Sequence, residues 1–226
     1  VNLAALAAGE GRRTLLWDLD PQGAATFLFR VQPKVKGGAR KLVRGRRDAL
    51  SVVKATDVEG LDLLPADFSY RHLDLALDRT KRPRAGIARV LEPLRGEYDV
   101  VVLDCAPSIS LVSEGVFGAS GLLLVPIVPS PLSLRTFEQL EGFLAALPDP
   151  PPGVLAFLSM VDRRRRLHRE LAASLPDTLP ALAGASIPVA SAVELMGQRR
   201  APLVATHPRS AAARAYAALW AEVRQM

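Results

Sequence analysis

Tyr98-Asp99-Val100-Val101-Val102-Leu103-Asp104-Cys105-Ala106-Pro107-Ser108 decides how the rest of the chain is read. Four apolar residues run into an acid and then a Pro-Ser turn. A short unbroken apolar run between turn residues predicts a strand buried on both faces. An acid at the C-terminal end of such a strand stands where open α/β sheets bind ligands. Nucleotide hydrolases place a magnesium-side aspartate at that point. A core strand that happens to end in aspartate is the plainer alternative, and one motif does not separate the two.

Upstream, Thr14 to Trp17 is a second short apolar run, followed by Asp18-Leu19-Asp20-Pro21-Gln22-Gly23. It is a second strand ending in acids and a turn. Further strands are expected at Leu61 to Leu64, Leu122 to Val128, Val154 to Met160 and Ser186 to Val189. Helices are expected at Val1 to Ala8, Arg71 to Arg95 (broken or begun at Pro83), Leu111 to Ala119, Leu134 to Leu147, Asp162 to Leu175 and Ala211 to Val223. Gly37 to Arg47 reads as a basic loop punctuated by glycine. Strands alternating with helices predict an α/β fold, a mostly parallel sheet with helices on both faces. Residues 1–226 read as one domain.

Composition narrows the classes. The chain has 226 residues and is 49% hydrophobic, enough for a folded core. A single cysteine, Cys105, excludes an intrachain disulfide and any Cys-x-x-Cys cluster site. It reads as a small apolar core residue. His72, His168 and His207 have no metal-site spacing. The uncharged stretch from Gly115 to Leu134 is too broken by proline and glycine for a membrane span. Net charge is +6, and nine bases against one acid, Asp48, lie between Arg30 and Lys54. Arg163-Arg164-Arg165-Arg166-Leu167-His168-Arg169 reads as a basic helix. Either stretch suits a polyanion or is simply a solvated face. Neither has aromatics interleaved, so stacking on single strands is not indicated.

Taken together, these landmarks resemble the ParA/MinD-type deviant-Walker-A ATPases of chromosome and plasmid partitioning. The resemblance rests on Val1-Asn2-Leu3-Ala4, Asp18 to Gly23, Gly60 to Ala66, Tyr98 to Ser108, Glu194 to Gly197 and His207 to Ser210, in the family's order. The family's P-loop, similar to Lys-Gly-Gly-x-Gly-Lys-Thr, ends just before the Val-Asn-Leu-Ala segment. No Gly-Lys dipeptide occurs in this chain. The expectation is a P-loop-NTPase-like fold without its first strand and P-loop, N-terminally incomplete, with little ATP hydrolysis as it stands. A natural relative that never had the loop is the alternative.

The resemblance implies ATP and Mg2+ as cofactors, with Asp20 positioning the attacking water and Asp104 holding the metal through a water. Asp18, Gln22, Gly23 and Pro107 fall in its nucleotide-side segments, and Pro208 and Arg209 in a loop near the adenine. Ala106 replaces the first of two prolines usual beside Pro107. For Asp20 a turn-capping role, and for Pro208 and Arg209 a plain turn, are the bland readings. Family behaviour further implies an ATP-dependent homodimer, non-specific DNA binding through Arg163, Arg164, Arg165, Arg166 and Arg169, and a ParB-like centromere-binding partner. A cytoplasmic, nucleoid-associated protein without a stable membrane anchor is expected. Two other readings stay open. One is a non-catalytic DNA- or protein-interaction module. The other is a MinD-like or cargo-positioning ATPase at a membrane or a secretion or cellulose-synthesis apparatus.

Overall fold

Strand β1 (Thr14–Asp18) is buried at every position, because it lies between two parallel neighbours. These are β3 (Leu61–Leu64) and β4 (Val100–Asp104), and the short β2 (Lys54–Ala55) adds antiparallel beyond β3. The order is β2-β3-β1-β4. The computed structural model describes residues 1–226, and they divide into two compact units. The first comprises Val1–Ala119 with Gly197–Pro202, the second Ser120–Met196 with Leu203–Met226.

In the first unit, alternation along β1 assigns its side chains to two layers. Leu15 and Trp17 enter a core with Leu42, Val43, Leu73, Leu77, Ile87 and Val116. That core is built from α3 (Gly38–Val43), α4 (Leu73–Asp78), α5 (Gly86–Leu91) and α6 (Leu111–Ala119). On the other side α1 (Asn2–Gly9) packs against β1, β3 and β4 through small buried alanines, Ala4, Ala5, Ala7 and Ala8. Helix α2 (Ala24–Leu28) follows the loop after β1, starting from Gly23 at φ 65°.

Three local expectations are corrected. Gly37 to Arg47 is not a loop throughout. Gly37 and Gly38 take left-handed φ of 94° and 69°, a conformation glycine adopts without strain, and launch α3. The expected helix over Arg71 to Arg95 is a string of short pieces, with a 3-10 turn starting at Pro83. Strand β4 is not buried on both faces. It is the edge of its four-stranded sheet, and Val101 is 39% exposed.

In the second unit β5 (Leu122–Ile127), β6 (Gly153–Val161) and β7 (Leu182–Pro188) are all parallel, in that order. Helices α7 (Pro131–Ala145) and α8 (Arg166–Thr178) bring Phe137 and Leu175 onto Ile127, Ala156 and Leu158. Ser130 caps α7, its hydroxyl accepting from Ser133 N, with Pro131 in the first helical turn. Short helices α9 (Ser191–Glu194), α10 (Met196–Arg199) and α11 (Leu203–Thr206) lead to α12 (Ala211–Val223). Glu222 of α12 accepts hydrogen bonds from Gly184 N and Ala185 N of β7 at 2.9 and 2.8 Å. No helix is long and apolar enough to cross a membrane.

The basic helix is also corrected. Arg163, Arg164 and Arg165 form a turn before α8, because Asp162 Oδ1 accepts from Arg164 N and the Asp162 carbonyl from Arg165 N. The buried ring of His168 fixes that turn from behind, its Nδ1 accepting from Asp162 N at 3.1 Å.

Candidate nucleotide site

Strands β1 and β4 end together. Asp18 and Asp104 are register partners, and the ladder closes with Leu19 N donating to Asp104 O at 2.8 Å. Parallel register partners share a face, so both carboxyls stand on the same side of the same rim. Helix α1 packs against both of these strands.

Asp18 is fully buried. Its Oδ2 accepts from Thr26 N at 2.7 Å and from Thr26 Oγ1 at 2.6 Å. The same hydroxyl accepts from Ala66 N at 2.8 Å. One threonine thus ties the ends of β1 and β3 to the start of α2. The other oxygen, Asp18 Oδ1, is buried without a partner. Burial pushes the Asp18 carboxyl up, the Thr26 hydrogen bonds oppose that, and the Asp104 charge adds to the rise.

Asp104 is pushed up by burial as well, with the Asp20 charge adding. Asp20 therefore stands within electrostatic reach of Asp104. Its Oδ1 accepts from Gln22 N at 2.8 Å and its carbonyl from Gly23 N at 2.9 Å. Gly23 is buried at φ 65°, and a Cβ there would meet Ala66 Cβ at 3.3 Å, so the loop demands glycine. Pro107 and Ser108 follow as an exposed turn, Ser108 N donating to Ala106 O. Burial together with the Asp104 and Asp20 charges pushes the Cys105 thiol up to about 12. It packs against the core as an uncharged side chain.

A hard divalent cation fits this donor set. Two desolvated carboxyls and one orphaned carboxylate oxygen are all relieved by positive charge. No group of three or more His, Cys, Asp or Glu forms a closed cage. Mg2+ suits such a site, because it keeps several waters and takes one or two protein carboxylates with phosphate oxygens.

The structure brings Asp18, Asp20, Gln22, Gly23, Asp104 and Pro107 together in the first unit. Pro208 and Arg209 lie in the second, exposed in the turn before α12, where the Arg209 carbonyl accepts from Arg214 Nη1. Arg163 to Arg166 and Arg169 are also in the second unit and exposed. Arg166 pairs with Glu170 at 2.6 Å, and Arg169 donates to the Arg163 and Arg164 carbonyls. Sequence reading missed Thr26 and Ala66. Only the adjacency of β1 and β3 makes them partners, and a lone Thr eight residues after an Asp carries no local signal.

A family model described as an AAA domain matches residues 1–149. The chain belongs to this family, and within it to the ParA/MinD type. It is 32% identical to the sporulation initiation inhibitor protein Soj of Bacillus subtilis strain 168 over 141 residues. That match covers 62% of the chain and 56% of Soj, so it spans little more than half of this relative. It is 29% identical to the chromosome partitioning protein ParA of Caulobacter vibrioides, over 76% of the chain and 67% of the relative. Among solved structures, the septum site-determining protein MinD of Pyrococcus horikoshii complexed with Mg-ADP superimposes with a TM-score of 0.78. The identity is 20%, and the match covers 98% of this chain and 87% of that one. That likeness establishes the P-loop NTPase fold of the ParA/MinD type for this chain.

Proposed function

We propose that this chain is the body of a ParA-type partitioning ATPase that takes Mg-ATP at the β1–β4 rim. The observation that carries the reading is the register pairing of Asp18 with Asp104, with the Asp20 charge acting on Asp104. Bound Mg2+ would neutralise developing phosphate charge. Asp104 is the residue that would hold that ion, through a water. Asp20, on a loop pinned by its own turn hydrogen bonds, orients the attacking water in line with the leaving group. Thr26 and Ala66 keep the loop's root fixed. Gln22, Gly23 and Pro107 line the nucleotide side. The full assembly is an ATP-dependent homodimer, responsive to a ParB-like partner, that binds DNA non-specifically through Arg163 to Arg166 and Arg169 in the cytoplasm.

A phosphate cradle of backbone N–H groups and lysine supplies most triphosphate affinity in this fold. The chain alone is therefore a poor ATPase. The test compares its turnover with that of the same chain preceded by a strand and a Lys-Gly-Gly-x-Gly-Lys-Thr loop. Magnesium-dependent hydrolysis only in the extended form, abolished by Asp20→Ala, is the expected result. Equal turnover in both forms refutes the reading.

A further inference from the structure

Between Lys34 and Arg47 the chain carries seven cations and no acid. The middle of that stretch is α3, whose Ala39, Leu42 and Val43 are buried while Arg40 and Lys41 are exposed. None of the seven forms a salt bridge, whereas Arg166 is paired with Glu170. Such a surface calls for a polyanion.

The fold adds what the linear sequence lacked. The Asp67 carboxylate accepts from Val35 N at 2.7 Å and from Ser69 N at 2.8 Å. Ser69 Oγ accepts from Ala39 N at 2.9 Å. Two of these hydrogen bonds staple the basic stretch to residues 67–69, and the third braces that turn internally. Phe68 sits inside this staple, 64% exposed, with the Arg71 guanidinium 4.0 Å from its ring centroid. An exposed ring backed by a planar cation is held beside an unpaired run of lysine and arginine.

We infer that α3 and Phe68 form a binding surface for single-stranded nucleic acid, the cations meeting phosphates and the ring stacking on a base. Cations that follow a backbone beside an aromatic platform are the working parts of single-strand binding. A duplex keeps its base faces stacked inside and offers the ring no partner. A bilayer surface wants an apolar helix face, and the apolar residues of α3 are spent in the core. This surface needs no nucleotide and does not rest on the ATPase reading.

Fluorescence anisotropy of the nucleotide-free chain tests it. The probes are a labelled oligo-thymidine strand and a duplex of equal length, each over a salt series, with anionic vesicles as a third ligand. The strand binds more tightly than the duplex or the vesicles. Phe68→Ala weakens strand binding by about 5- to 100-fold and leaves the duplex unaffected. Phe68→Tyr retains the binding. Should Phe68→Ala lower the melting temperature, Phe68→Leu keeps the apolar bulk and reads the same loss. Lys36→Gln, Arg40→Gln and Lys41→Gln together flatten the logarithmic salt slope by about 2. Arg135→Gln, at an exposed cation of α7 outside both basic stretches, leaves strand binding unchanged. The inference is overturned if the wild-type chain does not bind the strand or prefers duplex or vesicles. It is equally overturned if removing the Phe68 ring leaves strand affinity intact, or if the α3 substitutions leave the salt slope unchanged.

Discussion

Thr26 does two things with one hydroxyl: it donates to Asp18 Oδ2 and accepts from Ala66 N. Thr26→Val keeps the shape and removes both bonds inside a buried site. A loss of about 1–3 kcal/mol in urea unfolding is expected, with Thr26→Ser recovering most of it. Asp104 leads to the opposite expectation. Its folded-state pKa lies above the ordinary 3.8, chiefly through burial. The folded state then holds the proton more tightly than the unfolded one, so this group's contribution to stability falls as pH rises from 3.8 through the folded value. Asp104→Asn removes a carboxylate that is costly at neutral pH. Thermal melts of the nucleotide-free chain should show the variant above wild type at neutral pH. The gap should close as pH falls toward 3.8. Under the ATPase reading the same variant loses its magnesium-dependent nucleotide affinity.

Helix α6 carries two glycines with opposite demands. A Cβ on Gly115 would lie 2.9 Å from Ile87 Cγ1 and 3.2 Å from the Arg84 carbonyl, whereas Gly118 has open space. Gly115→Ala should cost about 1–3 kcal/mol by forcing α6 off α5. Gly118→Ala should gain about 0.5–1 kcal/mol, since only chain entropy changes. Urea titrations of the pair read both signs. The same contrast shows what a sequence exposes. The spans of β3, α6 and α12 are readable from apolar runs and their stops. β1 and β4 each extend one residue further than their apolar runs, because the Asp18–Asp104 pairing continues the ladder. Helix α3 was hidden by Gly37 and Gly38, which look like loop and act as a left-handed lead-in. Arg163 to Arg165 look helical and are a turn, because Asp162 and His168 capture the backbone first. The rim acids were legible as motifs. Their support was not, because Thr26, Ala66, Asp67 and Ser69 acquire partners only when distant strand ends meet.

Each unit carries a dense cationic stretch, Lys34 to Arg47 in the first and Arg163 to Arg169 in the second. They should differ in salt response. Under the partitioning reading, duplex binding with nucleotide present depends on the arginine turn before α8. Neutralising Arg163, Arg164 and Arg165 should flatten the duplex salt slope by about 3 in anisotropy titrations. The α3 substitutions should leave that slope as it was. Helix α3 is anchored by its inward residues, Ala39, Leu42 and Val43, and by backbone hydrogen bonds to Ser69 and Arg89. Its outer side chains, Arg40 and Lys41, are exposed and form no salt bridge, so their sign touches stability only through the helix end, by about 0.3–1 kcal/mol each. Rewriting Arg40 and Lys41 as glutamates keeps the scaffold and cuts the charge of the Lys34–Arg47 stretch from +7 to +3. The protein thus carries a patch where ligand preference can be redrafted without renegotiating the architecture beneath.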